Sequence, residues 1–251
     1  MKWLFLAMIW GFSGALFLWA DDPVLKIAYA EGNAPPYAFV KDGRLTGGLI
    51  PEMGNWLART LGVKVAYVFT SRLRTDEDLK TGRIDVLPIS NPLWISANDG
   101  VRWSRRLFWE NNVFAENTQF PCSIGSWNDL KGKNIGTLLG YVYPSALEKM
   151  FASGQAKRQD VVTLEQNLSK LENGRVNLVY DSKVLIEYAI KNHFKNLAIL
   201  PCRITPPRPL RMAMGPHSPV SFHDFNAAVD DLVESGALAK MLAAYGITGR
   251  R

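Results

Sequence analysis

Apolar positions recur every second residue in some segments of the chain and every third or fourth in others, and the two kinds take turns. Val24–Ala30 (VLKIAYA) alternates and is rich in β-formers, which predicts a first strand. Lys41-Asp42-Gly43, between Tyr37–Val40 and Leu45, is a hairpin signal. Ile50, Met53, Trp56, Leu57 and Leu61 fall on one helical face, and Gly62 stops that helix. A strand over Val63–Phe69, a short acidic-first helix from Thr75 to near Gly82, and a buried strand over Ile84–Ile89 follow.

The alternation resumes past residue 120. Strands are expected at Asn134–Leu138, Val161-Val162, Val176–Tyr180, Leu197–Leu200 and Leu210–Met214. Helices are expected from near Pro144, over Ser182–Asn192, Phe222–Glu234 and Ala237–Ala244. Thr163-Leu-Glu-Gln166 reads as a capping box for another, reaching about Asn173. Strands trading with helices predict an α/β fold with largely parallel sheets. The polar or proline-rich stretches Glu116–Pro121 and Thr205–Pro209 read as two crossings between lobes. They divide the chain into a discontinuous first lobe, 21–116 plus 208–251, and a continuous second lobe, 117–207.

Composition changes this picture little. The chain has 251 residues, of which 47% are hydrophobic and 21% charged, which excludes a disordered chain, a collagen or a disulfide mini-protein. The net charge of +6 is spread along the chain, with its densest cluster at Arg102, Arg105 and Arg106. Without a basic run interleaved with aromatics, no nucleic-acid partner is expected.

Residues 1–20 matter more. After Met1-Lys2 there is no charge from Trp3 to Ala20, and Asp21-Asp22 follow. This is the pattern of a secretory signal peptide cut near Ala20, which predicts export to the periplasm; a retained membrane anchor is the alternative. In an exported protein the two cysteines, Cys122 and Cys202, predict one disulfide, with two buried thiols as the alternative. His193, His217 and His223 form no ligand spacing with them, so neither a metal nor another cofactor is expected.

Several segments together resemble the bacterial periplasmic solute-binding proteins of family 3, which serve polar amino-acid ABC transporters. They are residues 25–65, LKTGRIDVLPI (79–89), WSRRLFWENNVF (103–114), DLKGKNIGTLLGYVYPSALEKM (129–150), VNLVYDSKVLIEYAI (176–190) and residues 209–246. They cover almost all of the chain after residue 20, in the family's order. The resemblance implies a two-lobe type II periplasmic-binding-protein fold, with two mixed, mostly parallel sheets flanked by helices and a hinge between the lobes. It also implies a monomer that closes on a small polar solute and presents it to an ABC transporter permease or another inner-membrane partner.

The resemblance also implies the site. Tyr37, after Pro35-Pro36, stands where the family packs an aromatic on the ligand; packing within its own lobe is the alternative. Asp181 stands where the family pairs a carboxylate with the ligand's ammonium; a plain helix N-cap is the alternative. Tyr141 and Tyr143 lie in the loop that offers backbone N–H groups to a ligand carboxylate, or are ordinary loop aromatics. Counting from Asp85, the positions that usually hold small hydroxyl residues and a carboxylate-clamping arginine read Ser90, Pro92, Trp94 and Ala97. The arginine is therefore replaced by Ala97, and Trp94 at the cleft edge hints at a flatter or more apolar ligand, or at stacking on a cation. Arg72 and Arg74 lie in another loop that can face the cleft. An enzyme on this scaffold, similar to cyclohexadienyl dehydratase, and a sensor acting on a membrane partner are the alternative functions. No Gly-x-Ser-x-Gly, His-Glu-x-x-His or phosphate loop occurs, so an enzyme is not expected.

Overall fold

The structure is a computed structural model that describes residues 22–96, 100–202 and 204–247. The expected signal peptide and Ala97 lie outside the described residues. In chain order the first part holds β1 (Val24–Tyr29), β2 (Phe39–Lys41), β3 (Arg44–Gly47), α1 (Leu49–Leu61), β4 (Lys64–Phe69), α2 (Thr75–Lys80), β5 (Val86–Ser90) and β6 (Arg102–Glu110). The second holds β7 (Asn112–Asn117), β8 (Asn134–Leu138), α3 (Ser145–Ala152), β9 (Lys157–Val161), α4 (Leu164–Glu172), β10 (Leu178–Ser182), α5 (Lys183–His193) and β11 (Leu197–Ile199). The chain then returns as β12 (Arg208–Met214), α6 (Phe222–Glu234) and α7 (Ala237–Ala244).

The strands form two five-stranded sheets, ordered β4-β1-β5-β12-β6 and β11-β7-β10-β8-β9, besides the β2–β3 hairpin. Side chains alternate across each sheet, as the period-two pattern requires. Leu25, Ile27 and Tyr29 of β1 and Leu210, Met212 and Met214 of β12 face the core shared with α1, α6 and α7. Ala28 and Ala213 point the other way, toward Leu79 of α2. In the second sheet Val113, Ala115 and Val179 face α4 and α5. Phe114, Leu178 and Tyr180 face α3. Phe114 and Tyr180 pair across the strands with ring centroids 4.7 Å apart.

Local chemistry explains several ends. Asp42 and Gly43 both have positive φ, the geometry that lets a two-residue turn follow the twist of β2 and β3. Thr163 Oγ1 accepts the Gln166 N–H at 3.3 Å, and Gln166 Oε1 accepts the Thr163 N–H at 3.1 Å, so the capping box opens α4 from both sides.

The structure corrects the sequence reading in four places. The forward crossing falls at Asn111, between β6 and β7, not in the polar stretch Glu116–Pro121, because β7 is already a strand of the second sheet. Each sheet has two parallel and two antiparallel neighbour pairs, since β12 and β7, the strands that arrive from the other lobe, run against their neighbours. β10 extends through Asp181 and Ser182, which pair with Val113 and Asn112, so the next helix begins at Lys183. The expected disulfide is not formed: Cys122 and Cys202 are free thiols. Cys122 Sγ instead lies 3.8 Å from Lys133 Nζ and 3.9 Å from the Asn177 carbonyl.

Candidate functional site

The ends of β1, β4, β5 and β6 in one lobe face the ends of β8 and β10 in the other across a cleft. It encloses about 1030 Å³, counting open solvent at its mouth. Tyr37, Ser90, Trp94, Tyr141, Tyr143 and Asp181 all line this one cleft.

Tyr37 does two things. It is buried in the first-lobe core, its ring 6.4 Å from Phe108, and its hydroxyl donates a hydrogen bond to Glu110 Oε2. Glu110 ends β6 beside the crossing point and is itself buried and in the cleft wall. Its other oxygen accepts the Asn111 N–H at 3.1 Å. The sequence reading did not single Glu110 out.

Asp181 is 7% exposed and sits across the cleft at the end of β10. It is not the helix cap: Ser182 is, accepting the Leu185 N–H, while Asp181 Oδ1 accepts the Ser182 N–H at 2.7 Å. Neither carboxylate has a cationic partner among the described residues. Burial penalises the charged form and pushes Asp181 up to about 7 and Glu110 up to about 6.

Among the described lining residues Arg72 is the one cation. It is already engaged, pairing with Asp76 at 3.3 Å and donating to the Trp94 carbonyl. Asp76 in turn accepts the Ser96 N–H at 2.8 Å, so this network fixes the short turn that presents Trp94. The other arginines noted in the sequence point elsewhere. Arg74 pairs with Asp78, Arg105 with Asp230 and Glu234, and Arg102 and Arg106 cover the rings of Phe222 and Trp109.

The Gly140–Tyr143 loop differs from its expected role. The Tyr141 N–H is used by the Leu138 carbonyl and the Tyr143 N–H by Glu148 Oε1, so these two donors are turned inward. The Tyr143 hydroxyl accepts the Leu138 N–H at 2.6 Å, and its ring is buried against Tyr180, which makes it part of the loop's scaffold. Tyr141 instead reaches across the cleft. A Cβ built on Gly32, in the turn after β1, would lie 1.6 Å from the Tyr141 hydroxyl oxygen. Beside it Gly140 abuts Leu73 and Arg72 of the opposite lobe. The two lobes thus meet in a contact that only a residue without a side chain permits at position 32.

No family model matches the chain. It is 24% identical over 234 residues to the probable amino-acid-binding protein YxeM of Bacillus subtilis (strain 168), covering 90% of this chain and 84% of that protein. Among solved structures, an ancestral arginine-binding protein bound to arginine superposes with a TM-score of 0.75 at 21% identity, covering 89% of this chain and 98% of its own. The ancestral amino acid-binding protein AncCDT-1, a precursor of cyclohexadienyl dehydratase, superposes with a TM-score of 0.72 at 18% identity, covering 89% of this chain and 95% of its own. The expected resemblance therefore holds at the level of the fold: this is the two-lobe α/β architecture of amino-acid-binding proteins.

Proposed function

We propose that the chain is an exported solute-binding receptor that closes on a small, amine-bearing, amino-acid-like molecule and delivers it to an ABC transporter. One observation carries this reading: Asp181 is buried in the inter-lobe cleft with no cation among the described residues to neutralise it. Burying a carboxylate unpaired is costly, so a site that keeps one is complementary to a cation brought from outside. The aromatic walls at Tyr37, Trp94 and Tyr141 suit the rest of such a molecule. The fold supports the same reading, since YxeM is described as a probable amino-acid-binding protein and AncCDT-1 as an amino acid-binding protein. On this reading a monomer in the periplasm binds and releases its ligand by lobe closure, with no covalent step.

A thermal-shift screen of the purified chain against amino acids, their amides and amines tests this. A ligand at about 100 times its Kd adds about 2.7 kcal/mol, which for a protein of this size raises Tm by roughly 5–10 °C. Asp181→Asn is expected to abolish the shift. A shift that survives Asp181→Asn undamaged would remove the basis of the proposal.

A further inference from the structure

Among the described residues the cleft has a hold for a cation and no uncommitted cation to hold an anion. Asp181 Oδ1 accepts the Ser182 N–H, and its other oxygen has no partner among the described residues. Glu110 is different. Its carboxylate accepts from the Tyr37 and Ser182 hydroxyls and from the Asn111 and Val184 N–H groups. Four donors fill a carboxylate's acceptor sites, so Glu110 is a fixed negative charge near Asp181 and not a second hold for a ligand. Glu31, next to Gly32, adds a third negative charge close to Tyr141.

A carboxylate brought into this cleft would need a cation, or donors aimed at it, to replace its water. Arg72, the one lining cation among the described residues, is held by Asp76 and by the Trp94 carbonyl. The Tyr141 and Tyr143 N–H groups bond inward, to the Leu138 carbonyl and Glu148. The Thr70 and Thr75 hydroxyls are spent on Asp78 and the Ser71 carbonyl. Ser90 also lines the cleft, but a neutral donor carries no charge to balance one. The rings of Trp94 and Tyr141 complete the wall and suit a cation or an uncharged body.

We propose that the ligand is an amine without a free carboxylate, its ammonium on Asp181 and an apolar or aromatic body against the rings. This rests on the receptor reading and narrows its ligand to a simple primary amine or to an amino acid whose carboxyl is masked as an amide. The two share the ammonium and the absence of an anion.

Isothermal titration of the purified chain with matched sets decides the matter: phenylalanine, phenylalaninamide and phenethylamine, then leucine, leucinamide and isoamylamine. In at least one set the amide or the amine is expected to bind at least tenfold more tightly than the parent amino acid. The amide binding best assigns the masked amino acid, and the amine binding best assigns the simple amine; either supports the inference. A smaller preference in both sets, or parent amino acids that bind more tightly, overturns it and leaves the receptor reading standing. Arg72→Gln is expected to leave the preference in place; a preference that grows because the parent amino acid alone weakens shows Arg72 holding its carboxylate and overturns the inference. The wild-type ratio decides even if that variant fails to fold. Binding that survives Asp181→Asn, or no binding by any member of either set, takes the receptor reading down as well.

Discussion

Replacing Gly32 with alanine tests whether the Tyr141 contact belongs to the closed state. The new methyl would sit 1.6 Å from the Tyr141 hydroxyl oxygen, 2.5 Å from Cζ and 3.0 Å from Cε2, so the ring must withdraw. Gly32 is not among the glycines with positive φ, so its own lobe accepts alanine without backbone strain. The penalty therefore falls on closure, not on folding. Forcing a methyl into a packed contact typically costs about 1–3 kcal/mol, which corresponds to a Kd weakened roughly 5- to 150-fold. Titration calorimetry with the tightest ligand of the screen reads the loss, and a melting curve without ligand shows that the lobes remain folded. Trimming the ring in Gly32→Ala/Tyr141→Ala is expected to remove most of the alanine's cost, and the four-way cycle measures the coupling. Unchanged affinity in Gly32→Ala, or a loss of the same size with Tyr141 already trimmed, would refute the reasoning.

Affinity for a cation is expected to rise with pH up to about 8, because the ligand pairs with the ionised carboxylate of Asp181, which sits near 7. Titrations across that range are expected to approach a tenfold loss per unit below about pH 6 and to level off above about 8; a flat profile contradicts the arrangement. Without ligand the sign reverses. From about pH 4 to 7 the native state keeps protons that the unfolded chain has released, so ligand-free stability falls as pH rises through that window, as denaturant melts will record. Thr163→Ala removes one side of the α4 capping box and is expected to cost about 1 kcal/mol of stability with ligand affinity kept, measured by urea unfolding and calorimetry. Phe114→Ala empties the ring stack under the second sheet and is expected to cost about 3–5 kcal/mol, seen as early loss of the second lobe.

The periodic parts of the chain were readable because each buries one continuous apolar face. α6 and α7 begin and end where the pattern puts them, and α1 lies within a residue. β6 escaped because its apolar residues are interrupted by Arg102, Arg105 and Arg106, which an edge strand with register shifts can carry outward over Phe222, Asp230 and Trp109. β9 was cut short for a similar reason, since an exposed edge strand can be as polar as Lys-Arg-Gln-Asp. Glu110 carried no local signal. It acquires meaning only when the fold sets it beside Tyr37, 73 residues away in sequence. Tyr141 and Tyr143 look alike in the sequence, yet one bridges the lobes and the other caps a strand end, a difference set by which polar atom each hydroxyl meets. The disulfide was inferred from compartment and cysteine count, which say nothing of where each thiol points.

β6 runs into β7 through the single residue Asn111, whose carbonyl also accepts the N–H of Lys183 at 2.8 Å. A body turning about such a pivot moves least near the axis and most far from it. Glu110 is next to the axis, and Asp181 is paired to Val113 just beyond it, so the anionic floor of the cleft changes little as the lobes swing. The Tyr141 ring, carried on a loop at the end of β8, has farther to travel before it meets Gly32. A receptor built this way divides capture and release between two parts of the molecule. On the receptor reading, the carboxylates beside the pivot bear on how fast a ligand of the right sign arrives, and the distant aromatic contact on how long it stays.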